Sequence, residues 1–283
     1  MTPVSSATQA PPEHIAFIGG GNMASAIIGG LIRRGMPTLQ IQVIEPMPAQ
    51  RELLKKQWDI RVFWEAGASL TAATLVVWAV KPQMFRDAAM PVSVYAQQAL
   101  HLSVAAGIRS DTIALWLNSQ RVVRAMPNTP ALVGKGISGL FARDGVTAAD
   151  RLAVERVIKT TGDFLWLADE TQLDAVTALS GSGPAYVFYF IEAMIEAGTD
   201  MGLSPEQARR LAVATFVGAS ALAQDSPETP DLLRQRVTSK GGTTFAALSV
   251  LQESQVKAQF VRAMQAARQR AVELGNEFGG APG

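Results

Sequence analysis

Ile15-Ala16-Phe17-Ile18-Gly19-Gly20-Gly21-Asn22-Met23-Ala24, running on into Ser25-Ala26-Ile27-Ile28-Gly29-Gly30, is the stretch on which the reading of this chain turns. Four apolar residues suit a buried strand, three glycines break it, and a segment of helical period starts at Asn22. Gly19, Gly21 and Ala24 carry the spacing Gly-x-Gly-x-x-Ala. Gly19 permits a tight turn, Gly21 lets the backbone approach a pyrophosphate, and Ala24 lets the helix pack closely on the strand. The helix N-terminus that follows is a natural seat for phosphate. The alternative, a glycine turn with no ligand, does not explain why strand, glycines and amphipathic helix coincide.

Working outward, short β-branched runs alternate with helical segments as far as about Ala168. They read IQVIE, a helix over 51–57, IRVF, TLVVWAV (74–80), ALHLSVAA (99–106), RVVRAM (121–126), GISGLFAR (136–143) and FLWLA (164–168). That βαβα order, with nearly continuous apolar runs in the middle, predicts a doubly wound parallel sheet covered by helices on both faces. After Asp169 the pattern turns helical, with helices expected at about 169–179, 184–201, 205–225, 230–239 and 243–274, the last broken near Ser254. The expected organisation is a disordered leader over 1–13, an α/β dinucleotide-binding domain over 14–168, an all-helical domain over 169–276 and a tail over 277–283. Several of the late helices are apolar on more than one face. A domain of that size has little interior to bury them in, so they are expected to pack against another subunit.

Composition excludes much. With 25 Lys plus Arg against 24 Asp plus Glu, the 283 residues carry a net charge of +1, so no overall field marks a nucleic-acid or membrane partner. The absence of cysteine removes disulfides, thiolate metal sites and thiol nucleophiles. His14 and His101, the only imidazoles, read as strand-edge residues, and no metal site is expected. The longest apolar runs are far shorter than a membrane helix requires, so a soluble, cytoplasmic protein is expected.

Polar residues that bear on chemistry sit at the expected strand ends. Glu45 closes the second strand, where an acid normally accepts from the adenosine ribose hydroxyls; Arg51, Lys55 and Lys56 follow and suit a 2′-phosphate instead. The alternative is a solvated strand end. Ala79-Val80-Lys81-Pro82, Ala106-Gly107 and Asn128 each follow a strand and are candidates for the nicotinamide side of the crevice. A surface lysine and an Asx-type turn former are the competing readings of Lys81 and Asn128. Farther on, Ser239-Lys240-Gly241-Gly242-Thr243-Thr244 leads into an amphipathic helix. The backbone N–H groups of Gly241, Gly242 and Thr243 are expected to lie unpaired and to suit a carboxylate, with plain capping by Ser239 or Thr243 as the alternative.

Taken with AVKP, AAG, RAMPNTPALV, SGSGPAYVF and VTSKGGTT in this order, the chain resembles the pyrroline-5-carboxylate reductases over nearly its whole length. The resemblance implies a Rossmann-like domain followed by a helical dimerisation domain, in a homodimer or a decamer assembled from dimers. It implies hydride transfer to 1-pyrroline-5-carboxylate to give L-proline, with NADPH as the cofactor and NADH as an alternative. Thr244 then meets the ring nitrogen as the catalytic residue, and Ser239, Gly241, Gly242 and Thr243 hold the substrate carboxylate. Gly19, Gly21, Asn22, Met23, Ala24, Glu45, Ala79, Val80, Lys81, Pro82, Ala106, Gly107 and Asn128 meet the cofactor. Two positions depart from the family's common pattern: Lys240 stands where many members have proline, and Glu45 where many carry a small or basic residue. The rival readings are another Rossmann-plus-helical reductase of an imine or hydroxy acid, and a non-catalytic NAD(P)-sensing protein. The related hydroxyacid dehydrogenases use a lysine after a glycine-rich segment, and none lies between Lys159 and Lys240. A sensor needs neither Thr244 nor the carboxylate loop.

Overall fold

The computed structural model describes residues 13–279. Apart from Glu13 the expected leader lies outside the described residues, as does the tail beyond 279. Eight strands form one sheet: β1 (Ile15–Ile18), β2 (Ile41–Ile44), β3 (Arg61–Phe63), β4 (Leu75–Trp78), β5 (Leu100–Ser103), β6 (Val122–Met126), β7 (Gly136–Ala142) and β8 (Gly162–Trp166). Their order is β3-β2-β1-β4-β5-β6-β7-β8, so the chain reverses its direction of winding between β1 and β4. Neighbours are parallel from β3 to β6, as the sequence predicts, and β7 also runs parallel to β8. The exception is β7, which pairs antiparallel to β6. Residues 127–135 between them hold only a short 3-10 turn, too little chain for a parallel crossover.

Successive strand residues point to opposite faces, and both faces are covered. Ile15, Phe17, Val43 and Val77 pack with Ile27 and Ile28 of α1 (Asn22–Arg33), Leu54 of α2 (Pro48–Trp58), and Val154 and Ile158 of α5 (Ala148–Ile158). Ala16, Ile18, Val76 and Trp78 pack with Phe85 and Val92 of α3 (Pro82–Tyr95) and Ile113 and Leu117 of α4 (Ser110–Leu117). Burial on both faces is why these strands read as continuous apolar runs rather than alternating ones.

The compact units divide at Gly181, not at 168, and the chain from Arg268 onward belongs to the first unit. Long-range contacts explain the difference. Leu173 and Asp174 of α6 (Gln172–Val176) are buried, with Asp174 paired to Arg109 at 2.9 Å, and the chain continues through one π-helical turn at Thr177–Gly181. At the other end, Leu274 and Phe278 stand against Gly107.

The second unit, Ser182–Ala267, is all-helical, with α7 (Gly183–Asp200), α8 (Pro205–Asp225), α9 (Pro230–Arg236), α10 (Thr243–Glu253) and the start of α11 (Val256–Gly279). The expected break falls at Ser254–Gln255, where Gln255 adopts φ +52°, and α9 ends three residues earlier than expected. Ala208 and Ala212 are buried here, whereas Phe188, Tyr189, Met201, Val217 and Leu222 are all more than half exposed.

His101 is not the edge residue that its place in the sequence suggests. It lies inside β5, in the middle of the sheet, and its Nδ1 accepts a hydrogen bond from Trp78 Nε1 at 3.2 Å. Burial, helped by the Arg121 charge, lowers its pKa from 6.5 to about 4. The unfolded chain therefore binds this proton first as pH falls. Stability should decline from about pH 6.5 toward pH 4, by on the order of 3 kcal/mol in all. His101→Asn keeps an acceptor for Trp78 and removes the titration, so urea unfolding at pH 7 and pH 4.5 should show a smaller acid loss in the variant. An identical loss in both proteins would assign it to carboxylates instead.

Candidate functional site

The glycine turn of the first unit lies at the carboxyl end of β1, at the point where the sheet reverses its winding. It is seated between two neighbouring strands: Gly19 N–H donates to the Ile44 carbonyl at 2.9 Å, and Ala79 N–H donates to the Ile18 carbonyl at 2.8 Å. Gly19 adopts φ +91°, and a Cβ there would meet the Ala79 carbonyl oxygen at 2.7 Å. A side chain is thus excluded twice, by backbone conformation and by contact. Gly21 differs, because its φ of −71° is ordinary and nothing lies within 4 Å of where its Cβ would be. No internal packing requires glycine at that position. The space is what an approaching pyrophosphate needs, and the residues present fit a dinucleotide cofactor.

The end of α1 supports the same conclusion. Its N-cap is Gly21, no side chain caps it, and its first turn carries no acidic residue. By contrast α5 and α8 close their own N-termini with capping boxes, Thr147 with Asp150 and Ser204 with Gln207. The first-turn N–H groups of α1, those of Asn22, Met23 and Ala24, remain available for an anion.

Glu45 is buried, not a solvated strand end. Its Oε2 accepts from Gly20 N–H at 2.8 Å and its Oε1 from Met47 N–H at 2.9 Å, so the carboxylate ties the glycine turn to the end of β2. Gln50 adds a second tie, with Nε2 donating to the Gly20 carbonyl at 2.5 Å. Sequence spacing gave no sign of Gln50, because its partner lies thirty residues away. Arg51 Nη1 donates to the carbonyls of Glu45 and Pro46, at 3.1 and 2.6 Å.

Along the same sheet edge, Ala79 and Val80 are half-buried, Lys81 is the exposed N-cap residue of α3, and Pro82 is its first residue. Gly107 adopts φ +76° and, with Ala106, follows β5. Asn128, just past β6, is buried, and its Oδ1 accepts from Ile137 N–H at 3.0 Å. It therefore fixes the start of β7 from nine residues away, which is not the local Asx turn weighed for it above. The structure brings these residues together at the carboxyl ends of β1, β2, β4, β5 and β6.

In the second unit, Gly242 N–H donates to the Ser239 carbonyl at 3.0 Å, and Gly241 adopts φ +76°. That is a type II turn, with Lys240 at the position where proline is often favoured. The expectation that Gly242 offers a free N–H is therefore corrected, since its donor closes the turn. Gly242 is the N-cap of α10, and neither Ser239 nor Thr243 caps the helix. The first-turn donors of Thr243 and Thr244 are left for an anion, and the Thr244 side chain is half-buried.

A Rossmann-type sheet with an open glycine turn at its winding reversal, followed in the chain by a helical unit with an uncapped polar loop, defines a dinucleotide-binding protein of two units, and its likeness to known proteins makes its class that of the nicotinamide-dependent oxidoreductases. Residues 170–274 match the family model described as pyrroline-5-carboxylate reductase dimerisation, and residues 14–107 match NADP oxidoreductase coenzyme F420-dependent. The pyrroline-5-carboxylate reductase of Pseudomonas aeruginosa is 43% identical over 94% of this chain and 98% of its own; that of Haemophilus influenzae is 41% identical over 93% and 98%. Among solved structures, a pyrroline-5-carboxylate reductase from Coxiella burnetii has a TM-score of 0.87 at 36% identity, covering 93% of this chain and 98% of that one. The Plasmodium falciparum pyrroline carboxylate reductase with NADP bound has a TM-score of 0.83 at 27% identity, with the same coverage. The chain belongs to the pyrroline-5-carboxylate reductase family.

Proposed function

We propose that this chain reduces 1-pyrroline-5-carboxylate to L-proline, the last step of proline biosynthesis, with NADPH as reductant and NADH as the second choice. The observation that carries the reading is the open glycine turn with the uncapped start of α1 behind Gly21; the second unit, taken by itself, offers the uncapped start of α10 behind Gly242 and a half-buried Thr244. The bound nicotinamide supplies the hydride that adds to the imine carbon. On the protein side, Gly19, Gly21, Asn22, Met23 and Ala24 would hold the pyrophosphate. Ala79, Val80, Lys81, Pro82, Ala106, Gly107 and Asn128 would border the nicotinamide half, and Glu45 would brace the turn beside the adenosine ribose.

In the second unit Ser239, Gly241 and Thr243 would hold the substrate carboxylate through loop and first-turn groups, while Gly242, whose N–H closes the turn onto the Ser239 carbonyl, would keep the loop in shape. Thr244 Oγ1 would orient the proton on the ring nitrogen, since a protonated iminium accepts hydride far more readily than a neutral imine. Positioning supplies much of the rate, because both reactants are held rather than activated by a strong acid or base. The NADP bound in the Plasmodium falciparum structure supports the NADPH preference, as does the Arg51 guanidinium at the start of α2. The apolar surface left exposed on α7, α8 and α10, in the region that matches a dimerisation model, supports a homodimer or a decamer built from dimers.

Oxidation of NADPH and of NADH should be followed with 1-pyrroline-5-carboxylate, comparing the intact chain with Thr244→Ala. Imine-dependent turnover is expected, with kcat/KM falling roughly a hundredfold in the variant. No turnover with either cofactor would overturn the reductase reading, and unchanged kinetics in Thr244→Ala would remove that residue from catalysis.

A further inference from the structure

We propose that Trp64, with Met47 past the end of the neighbouring strand, forms the platform on which the adenine ring of the cofactor stacks. The proposal rests on the reading that a nicotinamide dinucleotide occupies the Gly19–Gly21 turn. It names a contact that neither the glycine spacing nor the resemblance assigns.

Trp64 follows the last residue of β3 directly, and Met47 lies three residues past the end of β2. β2 and β3 pair in parallel with Ile44 opposite Phe63, and the ladder runs one step further, with Glu45 N–H donating to the Phe63 carbonyl at 2.9 Å. Trp64 therefore leaves the sheet beside Glu45, whose carboxylate is fastened to the glycine turn. A dinucleotide with its pyrophosphate at the end of β1 places its adenosine ribose at the end of β2. The base lies beyond the ribose, and the next strand outward is β3.

Exposure points the same way. Trp64 is 64% exposed and Met47 62%, although tryptophan is among the side chains most rewarded by burial. Two large apolar side chains at adjacent strand ends, on the ligand-binding edge of the sheet, are unusual as bare surface. Indole offers a flat π-face and the methionine thioether a polarizable, adaptable contact, and a purine suits both. Such stacking is indifferent to the ribose 2′ substituent, so the platform should serve NADPH and NADH alike, leaving discrimination to the polar groups near Glu45 and Arg51.

The test is calorimetric titration of the full chain, without imine, using ADP-ribose and reduced nicotinamide mononucleotide as separate probes. Trp64→Ala is expected to weaken ADP-ribose roughly tenfold and Trp64→Phe less than about threefold, with the mononucleotide unaffected. Cofactor KM should rise equally for NADPH and NADH. ADP-ribose affinity that is unchanged in Trp64→Ala, or equal losses for both probes, would overturn the proposal. Because binding is read without turnover, a failed imine reaction would count against the proposed function and not against the platform. Thermal unfolding of each variant separates a lost contact from a lost fold.

Discussion

Glu170→Ala is expected to lower the unfolding free energy by about 3–5 kcal/mol, because it strands a buried guanidinium. Arg124, in β6, is 6% exposed and donates to Glu170 Oε1 at 2.6 Å. The same carboxylate accepts from Ser110 N–H and Ser110 Oγ, each at 2.6 Å, and so also fastens the start of α4. Burial lowers the Arg124 pKa, and Glu170 opposes that shift through its hydrogen bond and charge. Without Glu170 nothing of comparable strength replaces it, since Asp174 is engaged by Arg109.

Urea unfolding at pH 7 measures the effect directly. A loss below about 1 kcal/mol would show that the site relaxes or that water reaches Arg124. Adding Arg124→Met to Glu170→Ala should recover part of the loss, since removing both charges of a buried pair costs far less than removing one. Failure to recover would move the cause from the unpaired charge to the lost anchor on Ser110.

Gly162→Ala is the second large loss, expected at about 3 kcal/mol or more. Gly162 opens β8 opposite Gly136 of β7, with Gly136 N–H donating to the Thr161 carbonyl at 2.9 Å. At Gly162 φ is +148°, and a Cβ would lie 1.9 Å from the Gly136 carbonyl oxygen. That neighbour is backbone inside a sheet and cannot move aside without opening the ladder. Gly35→Ala is the matched control. Gly35 also has positive φ, at +89°, but open space where its Cβ would stand. It should lose only the backbone preference, about 1 kcal/mol. Equal losses at the two positions would mean that conformation, not contact, governs both.

How much of the site was legible depends on how local its causes are. The turn at Gly19–Gly21 could be read because strand, glycines and helix adjoin in the chain. The start of α10 behind Ser239–Gly242 was legible for the same reason, although the use of the Gly242 donor within the turn was not. Glu45 was visible as an acid at a strand end, but the direction of its carboxylate was not, because Gly20 and Met47 claim it only once β1 and β2 lie side by side. Asn128 was ambiguous until Ile137, nine residues on, was seen to occupy its Oδ1. Trp64 gave no signal, since one tryptophan near a strand end is indistinguishable from core until its exposure is known.

The sequence by itself determined the order of strands and helices along the chain, the two glycine turns, the helix starts behind them and the family. Those properties rest on side-chain periodicity and on residues a few positions apart, which sequence displays directly. Tertiary structure alone decided the antiparallel return of β7, the passage of α6 and the end of α11 into the first unit, the burial of His101 and the pairing of Arg124 with Glu170. Each depends on contacts between distant segments, where the cost of an unpaired buried group or the volume left beside a glycine is set by neighbours that only the folded chain supplies.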